Sequence, residues 1–492
     1  MKSALKSCVH SGPVSRFVLA AAVIVLLGWL PHCGSYATAG EMRVFPDQER
    51  PAEIAGTPAE AEKTTEANGE GAADASMESA HPEEEPRRTG ALAQRRNELR
   101  ADYEAERQEE TGLMLKAVNI IDRDQAVRWL KRFISSPPFN CPASSQTAWI
   151  DAFISAAERN HLPVCKEIVA LLASIVSIES GFREDPPAVD RSRGEDMTAL
   201  LARAEKDLFD KMGSVMSVPP VPQVYQRYRG RYYPKLTACE TERDVELTAR
   251  SIVLDLKTDA GSFPDFLKKI IFKEIDKIKN VVRSKGSMQL NFPRALEVTE
   301  QRGDKYSPEE LTDYLYTVKG GVDVGTAALK PMFVQYAARY AAPGDLSWLF
   351  LVGMDYHYGP FSSRNMMEQI RFRDLSGMKI PLDGDFLHYD EKGEPLDQDS
   401  QTLRAATACF PSAERKAVFD AFLLEKDPHY IYTDFHKAVL KAHRERFGDT
   451  PFAVVGDLWM GENAQIKHGA KWKTRSYLRK LDRRLNSIPW DG

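Results

Sequence analysis

The stretch "CKEIVALLASIVSIE", Cys165 to Glu179, constrains this chain more than any other. Ile168, Val169, Leu171, Leu172, Ile175, Val176 and Ile178 recur close to every 3.6 residues and cover most of a helix surface. Such a helix is kept from water only at the centre of a larger helical body. Gly181 then supplies the left-handed turn that ends it. Between the two stands Glu179, flanked by Ile178 and Ser180. A carboxylate at the buried end of a helix is costly unless it is paired, solvated or protonated. Glu179 is therefore either an exposed helix terminus or a group held for chemistry, and these residues alone leave both readings open.

The same periodicity returns in "AWIDAFISAAERN", "FPDFLKKIIFKEIDKIKNVV", "VDVGTAALKPMFVQYAARYA", "AERKAVFDAFLLEK" and "DFHKAVLKAHRERF", with few alternating runs to compete. The body from residue 93 to 492 is expected to be mainly α, with a small hairpin between Ile380 and Asp399. Its first segment, "LAQRRNELRADYEAERQEE", is charged nearly all round and reads as a solvated helix.

Before the body come two segments of other kinds. Lys2, Lys6 and Arg16, with no acid, precede the apolar run "FVLAAAVIVLLGWL", and "ATA" at Ala37 to Ala39 supplies small residues for cleavage before Gly40. Fourteen apolar residues make a helix of about 21 Å, short of the roughly 30 Å hydrocarbon core, so residues 1–39 read as an export signal. Membrane attachment is the alternative, although His32 before Cys33 is not the small residue a lipidation site requires. Residues 41–90 hold thirteen acids against five bases and few large apolar side chains, and 40–92 read as a disordered acidic linker. Its net −8 exceeds the whole-chain −5, so the rest carries +3 and an anionic ligand for the body is not disfavoured. Removing the signal takes two of six cysteines and leaves Cys141, Cys165, Cys239 and Cys409, a set that in an exported chain suits disulfides. No CxxC or HExxH pattern occurs, so no metal is expected.

"IESGF" around Glu179 resembles the catalytic segment of lysozyme-like lytic transglycosylases, in which a glutamate closes a helix before Ser, Gly or Asn and an aromatic. Three further stretches follow in that superfamily's order. "GSMQLN" at 286–291 looks like the Gly-x-Met-Gln segment that shapes the sugar groove. "GGVDVGTAAL" at 320–329 is similar to the helix that supports the site. "DYHYGPFSSRN" at 355–365 resembles the Tyr-Asn-Ala-Gly segment that faces the glutamate. "SRN" followed by "DGD" is similar to a lipoprotein-like bacterial branch of the superfamily. The chain departs from the usual pattern in three places: about a hundred residues, 183–283, separate the first two motifs, His357 stands where asparagine is usual, and "DGDFLHYD" has no counterpart in the well-studied members.

The resemblance implies a lysozyme-like helical domain with a helical insertion at 183–283, beside the groove, and a C-terminal extension at 400–492. It implies cleavage of the glycan strands of peptidoglycan in the periplasm or cell envelope, without cofactor or nucleic acid. Glu179 would be the general acid, with Ser180, Met288, Gln289, Tyr356 and His357 binding substrate. In the transglycosylase reaction one acid protonates the leaving oxygen and the muramic acid's own 6-hydroxyl closes the ring. A hydrolase needs a second carboxylate, about 5–5.5 Å away for retention or 6.5–9.5 Å for inversion. Glu184, Asp185, Asp323 and Asp355 qualify by type. The competing expectation is a murein-binding scaffold with this fold and no turnover.

Three features lie outside these motifs. Arg364 could meet a muramyl carboxylate or cap a helix. His429, His436 and His443 recur every seven residues, a helical rise of about 10.5 Å, too long to share an ion with bonds near 2 Å. Lys467 to Arg484 carries eight Lys or Arg against one Asp, with Trp472 and Tyr477 interleaved. That segment reads as a solvated basic helix or as a patch for anionic murein or lipid.

Overall fold

Helices supply nearly all the regular structure, as the 3.6-residue periodicity requires. The computed structural model describes residues 84–188, 196–199, 201–202, 205–206, 221–260, 282, 284–340, 345–389, 395–396, 399–411, 414–455 and 474–490. The expected signal, most of the acidic linker and Trp472 lie outside the described residues. In chain order the helices are α1 (Glu84–Ala117), α2 (Arg123–Lys131), α3 (Gln146–Arg159), α4 (Lys166–Glu179), α5 (Val221–Thr237) and α6 (Glu242–Ala260). A hairpin of β1 (Ser284–Lys285) and β2 (Leu290–Asn291) follows, then α7 (Phe292–Gln301), α8 (Pro308–Leu315), α9 (Val318–Tyr340), α10 (Ser347–Tyr358) and α11 (Ser362–Ser376). After a second hairpin, β3 (His388–Tyr389) and β4 (Pro395–Leu396), come α12 (Gln401–Cys409), α13 (Arg415–Phe422), a 3₁₀ turn (Pro428–Tyr432), α14 (Asp434–Phe447) and α15 (Thr474–Leu485).

The chain is mainly α, and the second hairpin falls inside the stretch from Ile380 to Asp399, pairing His388 with Leu396 and Tyr389 with Pro395. Local signals start the helices. Asp122 and Gln125 form a capping box on α2, and Ser307 and Glu310 form another on α8 with Pro308 in its first turn.

Helix α4 is the centre the sequence calls for, since every residue from Glu167 to Ser177 is buried. Around it α2, α3, α9, α10 and α15 close the main core. A second core joins α11 to α14, with Phe386 packed on Phe422 at 4.6 Å between ring centroids. Each fully buried Leu or Phe contributes about 1.5–3 kcal/mol. A third cluster seats the first hairpin, α7 and α8 against α9.

Several expectations are corrected. Helix α1 begins at Glu84, inside the stretch read as linker, and it is not merely solvated. Met114 and Glu110 are buried, and its charges pair across the fold: Arg95 with Asp420 at 2.9 Å, Glu110 with Arg339 at 2.9 Å and Glu104 with His429 at 2.7 Å. Partners this distant in sequence leave no trace in the helix's own periodicity. Cys141, Cys165, Cys239 and Cys409 are all free thiols, the first three buried and Cys409 half-buried. Burial pushes Cys141 and Cys409 up to about 11. No helix among the described residues is long and apolar enough to cross a membrane.

Candidate active site

Glu179 occupies the last turn of α4. The amides of Ser180 and Gly181 both donate to the Val176 carbonyl, at 3.0 and 3.1 Å, and the chain then takes two left-handed residues, Gly181 at φ 62° and Phe182 at φ 61°. Burial offsets the unusual backbone of Phe182, whose ring meets Trp149 edge-on at 5.6 Å. The turn is thereby pinned to the core, which fixes where the Glu179 side chain leaves the helix. Ser180 is committed to that turn: its hydroxyl donates to Val176 O at 3.1 Å and accepts the Arg183 amide at 3.4 Å.

The "GSMQ" segment is the turn of the first hairpin, closed by the Gln289 amide on the Gly286 carbonyl at 3.0 Å. It lies on the start of α9, so the second and third motifs are interlocked. The fit depends on Gly325, where a Cβ would come within 2.3 Å of Met288 Sδ. Met288 is consequently a wholly buried wedge rather than a groove-lining side chain. Its carbonyl accepts the Tyr356 hydroxyl at 2.7 Å, which joins the hairpin to α10. Gln289 donates its amide to Glu242 at 2.8 Å and to Gly286 O at 3.1 Å.

Glu242 is the first residue of α6 and belongs to the insertion. Its amide donates to Pro186 O at 2.9 Å, so α6 starts between the loop after Glu179 and the hairpin turn. Lys285 and Glu246, both buried, pair at 2.7 Å behind it. The start of α6 therefore stands beside the candidate residues.

From α10 comes His357, whose Nδ1 lies 3.3 Å from Glu179 Oε1. That oxygen is closed off from solvent and makes no aligned hydrogen bond, while Glu179 as a side chain keeps 15% exposure and His357 16%. The two groups meet by proximity, without the directional bond that would hold them rigidly. The other face of the imidazole is covered by Tyr477, with ring centroids 4.0 Å apart and planes within 7°. Burial first, then the charge of Glu179, pushes the Tyr356 and Tyr477 phenols well above their ordinary range. Both stay protonated, Tyr356 donating to the Met288 carbonyl and the Tyr477 hydroxyl buried without a hydrogen-bond partner.

Of the four other candidate carboxylates, three are committed elsewhere. Asp323 takes both arms of Arg302 at 3.0 Å each, the Tyr314 hydroxyl at 3.1 Å and the Asn160 amide at 3.1 Å. Asp355 is fully buried and accepts the Ser363 amide at 2.8 Å, the Ser363 hydroxyl at 2.6 Å and the Tyr336 hydroxyl. Asp185 accepts the Arg243 amide at 3.1 Å and so caps α6, while Glu184 is exposed. Arg364 neither faces outward nor caps a helix. It is fully buried and donates to Gln335, Asn365 and the carbonyls of Glu425 and Asp427. Asn365 in turn holds Gly384 O at 3.0 Å, and Gln369 holds Asp383 at 2.8 Å, so "SRN" and "DGD" are two sides of one buried network. The three histidines each face their own acid: His429 meets Asp427 and Glu104, His436 meets Glu368, and His443 meets Asp374.

Sequence reasoning missed Glu242 and Tyr477. Nothing local marks Glu242. Tyr477 had a signal: Tyr477, Leu478, Leu481 and Leu485 form one apolar stripe on an otherwise basic helix, and a stripe at that spacing seeks a core. Arg479 and Arg483 point outward beside it, while Arg484 turns in toward Ser177. A separate cavity of about 340 Å³, lined by Gln125, Arg128, Trp129, Arg132 and Lys166, lies at the start of α4, about 20 Å of helix from Glu179.

The sequence model of the family described as "Protein of unknown function (DUF1615)" matches residues 143–486, and the chain belongs to that family. The match takes in α4, the hairpin turn, α10 and α15. The chain is similar to "Uncharacterized protein YaiW" of Escherichia coli (strain K12), 23% identical over 270 residues, which is 54% of this chain and 65% of that protein. It thus spans just under two thirds of that relative's length. No solved structure matches the chain.

Proposed function

We propose that this member of the DUF1615 family is an exported enzyme that cleaves the bond between N-acetylmuramic acid and N-acetylglucosamine in peptidoglycan. The body is read as lysozyme-like and the reaction as that of a lytic transglycosylase, with Glu179 as its one general acid and base. The observation that carries this reading is the Glu179–His357 pair. A carboxyl ends a helix buried from Glu167 to Ser177, has one oxygen shielded from water and unbonded, and has an imidazole nitrogen 3.3 Å away. The hairpin turn and Tyr356 are fixed alongside.

In this reaction the protonated Glu179 gives its proton to the glycosidic oxygen as the bond to the anomeric carbon breaks. The muramyl 6-hydroxyl attacks that carbon, and its proton returns to Glu179. The product is a 1,6-anhydro end, and no water is consumed. The commitment of Asp185, Asp323 and Asp355 to structural bonds supports one acid over two. The rival reading, a murein-binding scaffold without turnover, draws on His357 standing where transglycosylases carry asparagine. Placement in the periplasm or envelope rests on residues 1–39 and is tested by N-terminal sequencing, which should begin near Gly40.

A digest of purified murein tests the function. Glu179→Gln keeps shape and polarity but has no acid proton, so turnover should fall by ~10²- to 10⁴-fold with murein binding retained. Mass spectrometry separates an anhydro end from a reducing end one water heavier. Reducing ends would mean a hydrolase, and binding without any release would leave the scaffold.

A further inference from the structure

We propose that Tyr477, on the C-terminal helix, is a positioning residue whose ring fixes the His357 imidazole against Glu179, while the same helix ties together the two helices that carry that pair. The activity part of this inference rests on the cleavage reading above.

Two contacts from α15 carry the argument, and they reach different helices. Tyr477 stacks on His357 of α10. Two turns further along the same face, Arg484 Nε donates to Ser177 Oγ on α4 at 2.9 Å, two residues before Glu179. Midway between them Leu481 presses on Gly353 of α10, where a Cβ would lie 2.4 Å from its Cδ2. The approach of α15 to α10 is therefore set by backbone contact, which leaves it little freedom to slide.

The consequence falls on the imidazole. Nδ1 and Oε1 at 3.3 Å share no aligned hydrogen bond, so that contact sets no direction for the ring. A face-to-face partner at 4.0 Å and 7° stops the ring from turning about its bond to Cβ, and so keeps the Nδ1 edge toward the carboxyl. Tyr477 does this with its face alone. Its hydroxyl is buried without a hydrogen-bond partner, so the oxygen contributes nothing that phenylalanine would lack. Plain core packing would need only volume, and that difference makes the role testable.

The experiment compares Tyr477→Phe, which keeps the flat face, with Tyr477→Met, which fills volume without one. In the whole protein, carbon-labelled histidine and glutamate report His357 and Glu179 by NMR, with His357→Gln and Glu179→Gln used for assignment. The His357 ring protons should lie upfield in wild type because of the facing ring. Tyr477→Met should release them and move the Glu179 carboxyl resonance, and Tyr477→Phe should recover both. On murein, Tyr477→Met should lower kcat about 10- to 100-fold, as expected for a misplaced group, with retention on murein unchanged. Should that variant fail to fold, Gly353→Ala displaces α15 without touching Tyr477, and the same resonances should move.

His357 signals indifferent to the loss of the ring, or a Met variant cleaving at the wild-type kcat, would overturn the proposal. Wild type that releases no muropeptides would end the cleavage reading instead. The contact would then be decided by the resonances alone, standing if Tyr477→Met moves both groups and falling if it moves neither.

Discussion

Replacing Asp323 with asparagine separates a structural carboxylate from a catalytic one. In the native fold Asp323 is 1% exposed and holds Arg302 at 3.0 Å through both oxygens, with Tyr314 and Asn160 donating to the same group at 3.1 Å. It thereby locks α9 to α3 and to the end of α7. Asparagine keeps the outline but turns one acceptor into a donor. That donor faces the Arg302 N–H and the Tyr314 hydroxyl, both of which now lack their acceptor. Arg302 retains Asp304, so the guanidinium is not left alone, and the cost belongs at the lower end of the ~3–5 kcal/mol for breaking a buried pair. Urea denaturation should show a lower midpoint with an unchanged slope. Asp323→Asn combined with Arg302→Met should cost less than the two changes summed, because both halves of the pair leave together. The reasoning is refuted if Asp323→Asn melts like wild type yet no longer cleaves murein, which would make Asp323 the second carboxylate of a hydrolase.

Three further outcomes are expected. Burial raises Asp355 to about 7 and, with the charge of Asp385 beside it, Glu425 to about 8. The folded state therefore holds protons that the unfolded chain releases near pH 4, so their contribution is complete below that value and fades as pH rises through 7 to 8. Melting temperatures across pH 5–9 should decline less on the alkaline side for Asp355→Asn, and an unchanged profile would count against the assignment. Gly325→Ala drives a methyl against the buried Met288 and should destabilise by about 1–3 kcal/mol in chemical denaturation, with no effect meaning the interlock is loose. The thiols of Cys141 and Cys409, held near 11, should resist alkylation at neutral pH until denaturant is added, whereas rapid labelling of the native protein would contradict their enclosure.

How much of this was legible depended on the range of the force involved. Helix α4, its burial and its stop at Gly181 follow from side-chain spacing and backbone freedom, both local properties, and these suffice to put Glu179 at a helix end. The order of "ESGF", "GSMQ", "GGVDVG" and "DYHYG" likewise pointed to one neighbourhood, and the structure joins the last three through Met288, Gly325 and Tyr356 and the first to the last through His357. What each side chain does within that neighbourhood was not legible. Ser180 and Met288 were expected to meet substrate, yet one closes a turn and the other fills a core. The thiols were expected to pair, but pairing needs two sulfurs at one point in space, which four positions along a chain do not specify.

By itself, then, the sequence determined a mainly helical body, a buried central helix and a carboxylate at its end, because amphipathic spacing and turn chemistry act between residues a few positions apart. Only the tertiary structure decided that His357 stands at that carboxylate, that Tyr477 comes from 120 residues further along the chain to cover the imidazole, and that Asp323, Asp355 and Arg364 are bound up inside the fold. Those outcomes depend on which surfaces meet when long-range packing closes, and a charge or a ring carries the same letters in the sequence whether it ends at a site or in a core.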